Sequence, residues 1–90
     1  MSNSQPNPQD IEEKFKIVFE RARKGVLKHL DEQGGELPFN TLHDYSLNKF
    51  FIQHQKFSEL METLVKEKLV DFDWKEYKVK ITEEGKKFVQ

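Results

Sequence analysis

Twelve residues near the C-terminus, Val70 to Ile81, restrict the fold more than any other part of the chain. Val70, Phe72 and Trp74 alternate with Asp71 and Asp73, and Tyr77, Val79 and Ile81 alternate with Lys78 and Lys80, the period-two pattern of two half-buried strands. If the chain reverses about Lys75-Glu76, the cross-strand partners become Trp74 with Tyr77, Asp73 with Lys78, Phe72 with Val79, Asp71 with Lys80 and Val70 with Ile81. Every pair is then apolar on apolar or acid on base, and a slip by one residue destroys every match. Lys-Glu is a poor pair for a two-residue type I′ turn, so a wider loop with the same register is expected. Trp74 and Tyr77 are expected to lid the core at the hairpin's end, the alternative being an exposed aromatic contact pair.

Helical spacing dominates upstream. Ile11, Phe15, Val18, Ala22, Val26 and Leu30 recur every three or four residues, with Phe19 and Leu27 widening the stripe. Asp10 followed by Glu13 has the form of a capping box, and Gly34-Gly35 can end the helix at positive φ, which predicts a first helix over 10–33. Gly25 inside it is a weak point of up to ~1 kcal/mol relative to Ala. Residues 1–9 are polar, contain two prolines and are expected to form a flexible tail, leaving one domain over 10–90. Glu36 to Phe39 suits a short strand or the first turn of a helix that accepts Pro38. Phe39, Leu42 and Tyr45 predict a second helix over 38–46, with Ser46 and Asn48 supplying stop or cap chemistry. A third helix carries Phe50, Phe51, Phe57, Leu60, Met61, Leu64, Val65 and Leu69 and starts either at Asn48 or near Gln55. Thr82 is placed to cap a closing helix from Glu83 to Gln90 that returns Phe88 and Val89 to the core.

Composition removes several function classes. The chain has no cysteine, so disulfides, thiolate metal sites and cysteine nucleophiles are excluded. His29, His43 and His54 lack the close spacing of metal ligands on one helix, and no Gly-rich phosphate loop or nucleophile elbow is present. No catalytic residue, metal or cofactor is therefore expected. No apolar run is long enough to span a membrane and the N-terminus lacks a signal-peptide pattern, so a cytoplasmic protein is the expectation. Fifteen Lys and Arg against sixteen Asp and Glu give a net charge of −1, well short of the basic balance common in DNA-binding domains.

The run from Phe57 to Val70, FSELMETLVKEKLV, and the run from Val79 to Val89, VKITEEGKKFV, resemble the ending of bacterial and archaeal winged-helix regulators of the MarR-like and PadR-like kind. In those proteins a recognition helix runs into a strand, a wing and a Thr-Glu-x-Gly helix start. The resemblance implies a mainly helical α+β fold, a winged helix-turn-helix of three helices, a two-stranded β-hairpin wing and a short C-terminal helix. It also implies that the third helix enters the major groove while the wing touches backbone or minor groove. Lys68 stands where the family usually has Gly, and the wing lacks the family's Arg and Gly at its tip.

On that basis Asn48, Lys49, Gln53, His54, Gln55, Lys56 and Ser58 are the residues expected nearest double-stranded DNA, amides reading adenine edges and Lys and Ser meeting phosphates. Lys75, Lys78 and Lys80 of the wing, with Lys86 and Lys87 beyond, offer a second basic cluster. Asp71 and Asp73 lie across from Lys80 and Lys78 and are expected to cancel much of that field. Phe50, Phe51 and Phe57 are read as core rather than as base-stacking residues. On the first helix, Arg21, Arg23, Lys24 and Lys28 form a candidate docking patch, and the broad apolar stripe suits a homodimer. The leading expectation is a small DNA-binding transcriptional regulator. The alternative is a protein–protein interaction module that grips its partner with the third helix and wing and binds no DNA.

Overall fold

The structure, a computed structural model, describes the backbone of residues 8–90 and the side chains of residues 13–90. Its elements run α1 (Pro8–Glu32), β1 (Glu36–Pro38), α2 (Phe39–Phe50), α3 (His54–Lys66), β2 (Val70–Asp73), β3 (Lys78–Ile81) and α4 (Glu83–Val89). The fold is α+β, with four helices and one antiparallel sheet in the order β1-β3-β2. None of these helices is long and apolar enough to cross a membrane.

The helix α1 begins earlier than the capping box implies. Pro8 and Gln9 are helical rather than part of a tail, and Asp10 lies inside the first turn. Proline suits a helix start because its missing N–H is one that the first turn would leave unbonded. Residues 1–7, the rest of the expected tail, lie outside the described residues. At the other end Gly34, at φ 98°, donates to Asp31 and Gly35 donates to the Leu30 carbonyl at 2.8 Å, closing the helix as the double glycine predicts. Gly25 is no mere weak point. A Cβ there would overlap the Phe50 ring, so the missing side chain is what lets α2 lie close on α1.

Of the two readings of Glu36 to Phe39, the strand is the one adopted, which makes the sheet three-stranded rather than a two-stranded hairpin. Leu37 pairs with Val79 and Glu36 with Lys80. Pro38 then stands as the N-cap of α2, its fixed φ of −59° suiting both roles. The helix α2 runs past the expected stop to Phe50, and Ser46 and Asn48 are interior residues rather than caps. Ser46 is fully buried with an unbonded Oγ. The turn comes instead at Phe51, whose φ of 59° lets its N–H reach the Leu47 carbonyl at 3.0 Å. The start of α3 at His54 is close to the Gln55 alternative, so Asn48 and Lys49 belong to α2 and not to the third helix.

The hairpin keeps the expected register. Val70 pairs with Ile81, Asp71 with Lys80, Phe72 with Val79 and Asp73 with Lys78. The fifth pair does not form, because Trp74 to Tyr77 make the wider loop, with Tyr77 at φ 56° and the Asp73 carboxylate accepting from the N–H groups of Lys75 and Glu76 at 2.9 and 3.2 Å. Thr82 caps α4 as expected, accepting from Gly85 N–H at 3.0 Å while its own hydroxyl donates to the Lys68 carbonyl at 2.7 Å. Gly85 packs so close to the Leu69 carbonyl that a Cβ would overlap it. Of the two residues expected to return with α4, Val89 packs on the core but Phe88 stays 41% exposed.

A single core results. Ala22, Val26, Leu27 and Leu30 of α1, Phe39 and Leu42 of α2, Phe57, Leu60, Met61 and Leu64 of α3, and Val70, Val79 and Ile81 of the sheet are all buried. Burying each such large side chain is worth about 1.5–3 kcal/mol. The sheet contributes one face only, so its other face, with Asp71, Asp73, Lys78 and Lys80, points away from the core.

Candidate functional site

The α3 helix shows solvent the side that the core does not use, and the side chains of Gln53, His54, Gln55, Lys56 and Ser58 are all exposed around its first turns. Gln53 is the N-cap residue in extended conformation, without a side-chain cap bond. Asn48 and Lys49 are also exposed, at the end of α2 across the Phe51 turn. These seven residues therefore bracket one helix–turn–helix corner. Lys56 is already engaged, with its Nζ 3.1 Å from Glu59 and 5.0 Å from the centre of the Phe15 ring. Further along the exposed side come Glu62 and Lys66, so with Lys56 and Glu59 the face carries two cations and two anions.

The hairpin lysines do not join that corner as a unit. Lys75 sits exposed on the loop, whereas Lys78 and Lys80 lie on the outer face of β3, opposite to the face that bears Val79 and Ile81. Their charge is offset, though not by the expected acids. Lys78 reaches Glu76 at 3.0 Å and Glu36 at 3.6 Å, and Lys80 reaches Glu36 at 3.5 Å. The hydrogen bond to Glu76, its charge and that of Glu36 together raise the Lys78 pKa above its ordinary value. Asp73 is diverted to the turn amides, and Asp71 has no cation within 4.0 Å among the described residues. Nothing local in the sequence points to Glu36, because its role depends on β1 joining the sheet.

Between α3 and the hairpin lies a groove of about 1090 Å³. Phe39, Met61, Val65, Val70, Phe72, Trp74 and Tyr77 give it an apolar lining, and Ser58, Glu62, Lys66, Lys68 and Asp71 give it a mixed polar rim. Trp74 is not the lid that the alternation suggests. The loop begins at this residue, so its ring leans on Phe72 at 4.4 Å between centroids and remains 80% exposed. Tyr77 closes over Phe39 at 4.9 Å yet stays 44% exposed, so the pair forms an aromatic edge to the groove. Phe51, read as core, is 83% exposed because its left-handed turn swings the ring outward. Phe57 is buried in the core and Phe50 packs half-buried against it.

The first helix also divides. Arg23 is no part of a surface patch, since it is 7% exposed and held by Glu20 at 3.0 Å and Glu67 at 2.7 Å. Burial alone would lower its pKa, but the hydrogen bonds and charges of Glu67 and Glu20 outweigh that and raise it. Arg21, Lys24 and Lys28 are exposed. Phe15, Ile17 and Val18 on the same helix are also exposed, which leaves an apolar stretch uncovered. His43 and His54 approach to 5.2 Å between ring centres, His43 edge-on to Phe57, and His29 stacks on Tyr45 at 3.7 Å. No group of three or more His, Cys, Asp or Glu among the described residues could hold a metal ion. Compared with protein-family models, with curated proteins and with solved structures, the chain matches none.

Proposed function

We propose that the chain is a winged-helix domain and that it works by docking a protein partner on the face made by α3 and the hairpin. The order of helices and strands, with β1 laid against β3 beside a hairpin wing, supports the winged-helix reading. The observation that carries the protein-docking reading is the groove. An apolar floor edged by an 80%-exposed tryptophan is rimmed by Glu62 and Asp71 as well as Lys66 and Lys68, while Lys78 and Lys80 on the outer sheet face are paired with glutamates. Desolvated aromatic anchors with a mixed polar rim suit a protein contact. Duplex DNA instead needs several lysines or arginines available to displace counterions from phosphates.

The test is a pull-down from the source cells with the whole chain as bait. One stoichiometric protein partner is expected, lost with Trp74→Ser and Val65→Lys and kept with Lys56→Glu. Recovery that is indifferent to Trp74 and Val65 would contradict the reading.

A DNA-binding transcriptional regulator is the second reading, favoured by the exposure of Gln53, His54, Gln55, Lys56 and Ser58 at the start of α3. It requires duplex binding at low salt that weakens with Lys56→Glu and Lys75→Glu.

A further inference from the structure

The sheet has two outer strands, and they are finished differently. The edge at β1 is three residues long, includes Pro38 and is tied by Glu36 to the two lysines of β3. Proline, shortness and charge are the usual devices that stop a second chain from pairing with an edge. The edge at β2 has no proline, and of its two aspartates Asp71 is left without a cation among the described residues. In β3, the Tyr77 carbonyl accepts from Phe39 N–H and Ile81 N–H donates to the Gly35 carbonyl, so the odd-numbered residues turn their backbone groups toward β1. Lys78 and Lys80 then turn theirs toward Asp73 and Asp71, and the Thr82 N–H to Leu69 carbonyl bond at 3.1 Å continues the alternation. Val70 and Phe72 are left with their N–H and C=O directed to the outer edge. Val70 is 1% exposed, so Phe72 is the accessible one.

The α3–hairpin groove opens along this same edge. Phe72 and Val70 line it from the core side of the sheet, and Asp71, whose side chain is on the other face, borders it as well. The carboxylate of Asp71 has no cation within 4.0 Å among the described residues, because Glu36 has taken Lys80, its cross-strand neighbour. Resting on the protein-docking reading, we infer that the partner presents an extended segment that adds a fourth strand to the β2 edge, with alternate apolar and basic side chains. Its backbone pairs with the N–H and C=O of Phe72. Side chains opposite Phe72 share that residue's face and enter the groove beside Met61, Val65 and Trp74. The side chain opposite Asp71 falls on the outer face, where a Lys or Arg meets the unpaired carboxylate.

The test uses the whole chain and an acetylated octapeptide alternating valine and lysine, followed by Trp74 fluorescence and by amide exchange at Phe72. Three further probes accompany it: the same peptide with glutamate for lysine, the same peptide N-methylated on one edge, and a mixed-sequence DNA duplex. Saturable binding of the lysine peptide is expected, with slowed exchange at Phe72 and loss of binding on N-methylation. With Asp71→Lys, checked for folding by circular dichroism, preference is expected to swing toward the glutamate peptide by about five- to ten-fold. Equal binding of the lysine and glutamate peptides, indifference to N-methylation, or no binding up to about 1 mM overturns strand addition. A Trp74-dependent protein partner that leaves Phe72 exchange unchanged overturns strand addition and keeps the docking reading, whereas binding of the duplex alone overturns both.

Discussion

Replacing Gly85 with alanine separates two accounts of the C-terminal helix by sign. Helix propensity alone predicts that Gly85→Ala stabilises by up to ~1 kcal/mol, since glycine is a poor interior residue. Packing predicts the reverse. The added Cβ would overlap the Leu69 carbonyl, which is backbone and cannot swing aside, and would come within 2.7 Å of Ile81 Cγ1. For α4 to move away it must strain or break the Thr82 hydroxyl bond to the Lys68 carbonyl and the Gly85 bond to Thr82, at 2.7 and 3.0 Å. Two such bonds are worth about 1 kcal/mol each, and overpacking adds ~1 more. Less the propensity gain, the net loss is ~2 kcal/mol, or roughly 10 °C in Tm for a domain of this size. Thermal unfolding followed by far-UV circular dichroism measures it. Thr82→Val, which deletes both bonds at constant volume, is expected to lose ~1–2 kcal/mol. An unchanged or raised Tm for Gly85→Ala would refute the close approach of α4 to the α3–β2 corner.

Other substitutions test other parts of the frame. Gly25→Ala would put a Cβ into the end of the Phe50 ring, whose Cζ lies on the flip axis and cannot turn away, so urea titration is expected to show a loss of ~1–2 kcal/mol, overpacking less the propensity gain. Lys68→Gly is expected to raise stability by ~0.5–1 kcal/mol in the same assay, because Lys68 holds φ 61° at the end of α3, a conformation that glycine adopts without strain. Ser46→Ala removes a buried hydroxyl that has no partner, and a gain of up to ~1 kcal/mol is expected; a loss of that size would point to a bonded hydroxyl. Glu67→Gln leaves the buried Arg23 with one exposed partner, Glu20, and is expected to lower the urea midpoint by the equivalent of ~1–2 kcal/mol, moderated because Glu67 is itself half exposed.

The elements whose residues have two simultaneous constraints were legible in the sequence. The hairpin register is one, since a slip would mismatch both apolar and charged pairs, and four of its five expected pairs form. The Thr82 cap is another, because the cap and the apolar return of α4 agree. What was illegible depended on long-range partners. The three residues of β1 carry too few alternations to signal a strand, so the sequence points to Asp71 and Asp73 rather than Glu36 as the acids that neutralise Lys78 and Lys80. Ser46 and Asn48 look like stop residues for α2, while the actual turn uses a phenylalanine at positive φ. Alternation correctly put Trp74 on the apolar face but could not reveal that the strand ends one residue before it. Arg23 looked like a surface cation because nothing local announces Glu67.

These placements decide how the face between α3 and the hairpin reads. Of the cations expected there, Lys56 is held by Glu59 of its own helix and Lys78 and Lys80 by Glu36 of β1, while Lys49 and Lys75 have no carboxylate within 4.0 Å among the described residues. The groove between α3 and the hairpin has an apolar floor edged by Trp74 and Tyr77. Fluorescence anisotropy of a labelled mixed-sequence duplex titrated with the whole chain at about 50 mM salt tests this most directly, since electrostatic DNA binding is strongest there. The account predicts no saturable binding. Saturation that falls steeply with added salt and is lost with Lys56→Glu would contradict it.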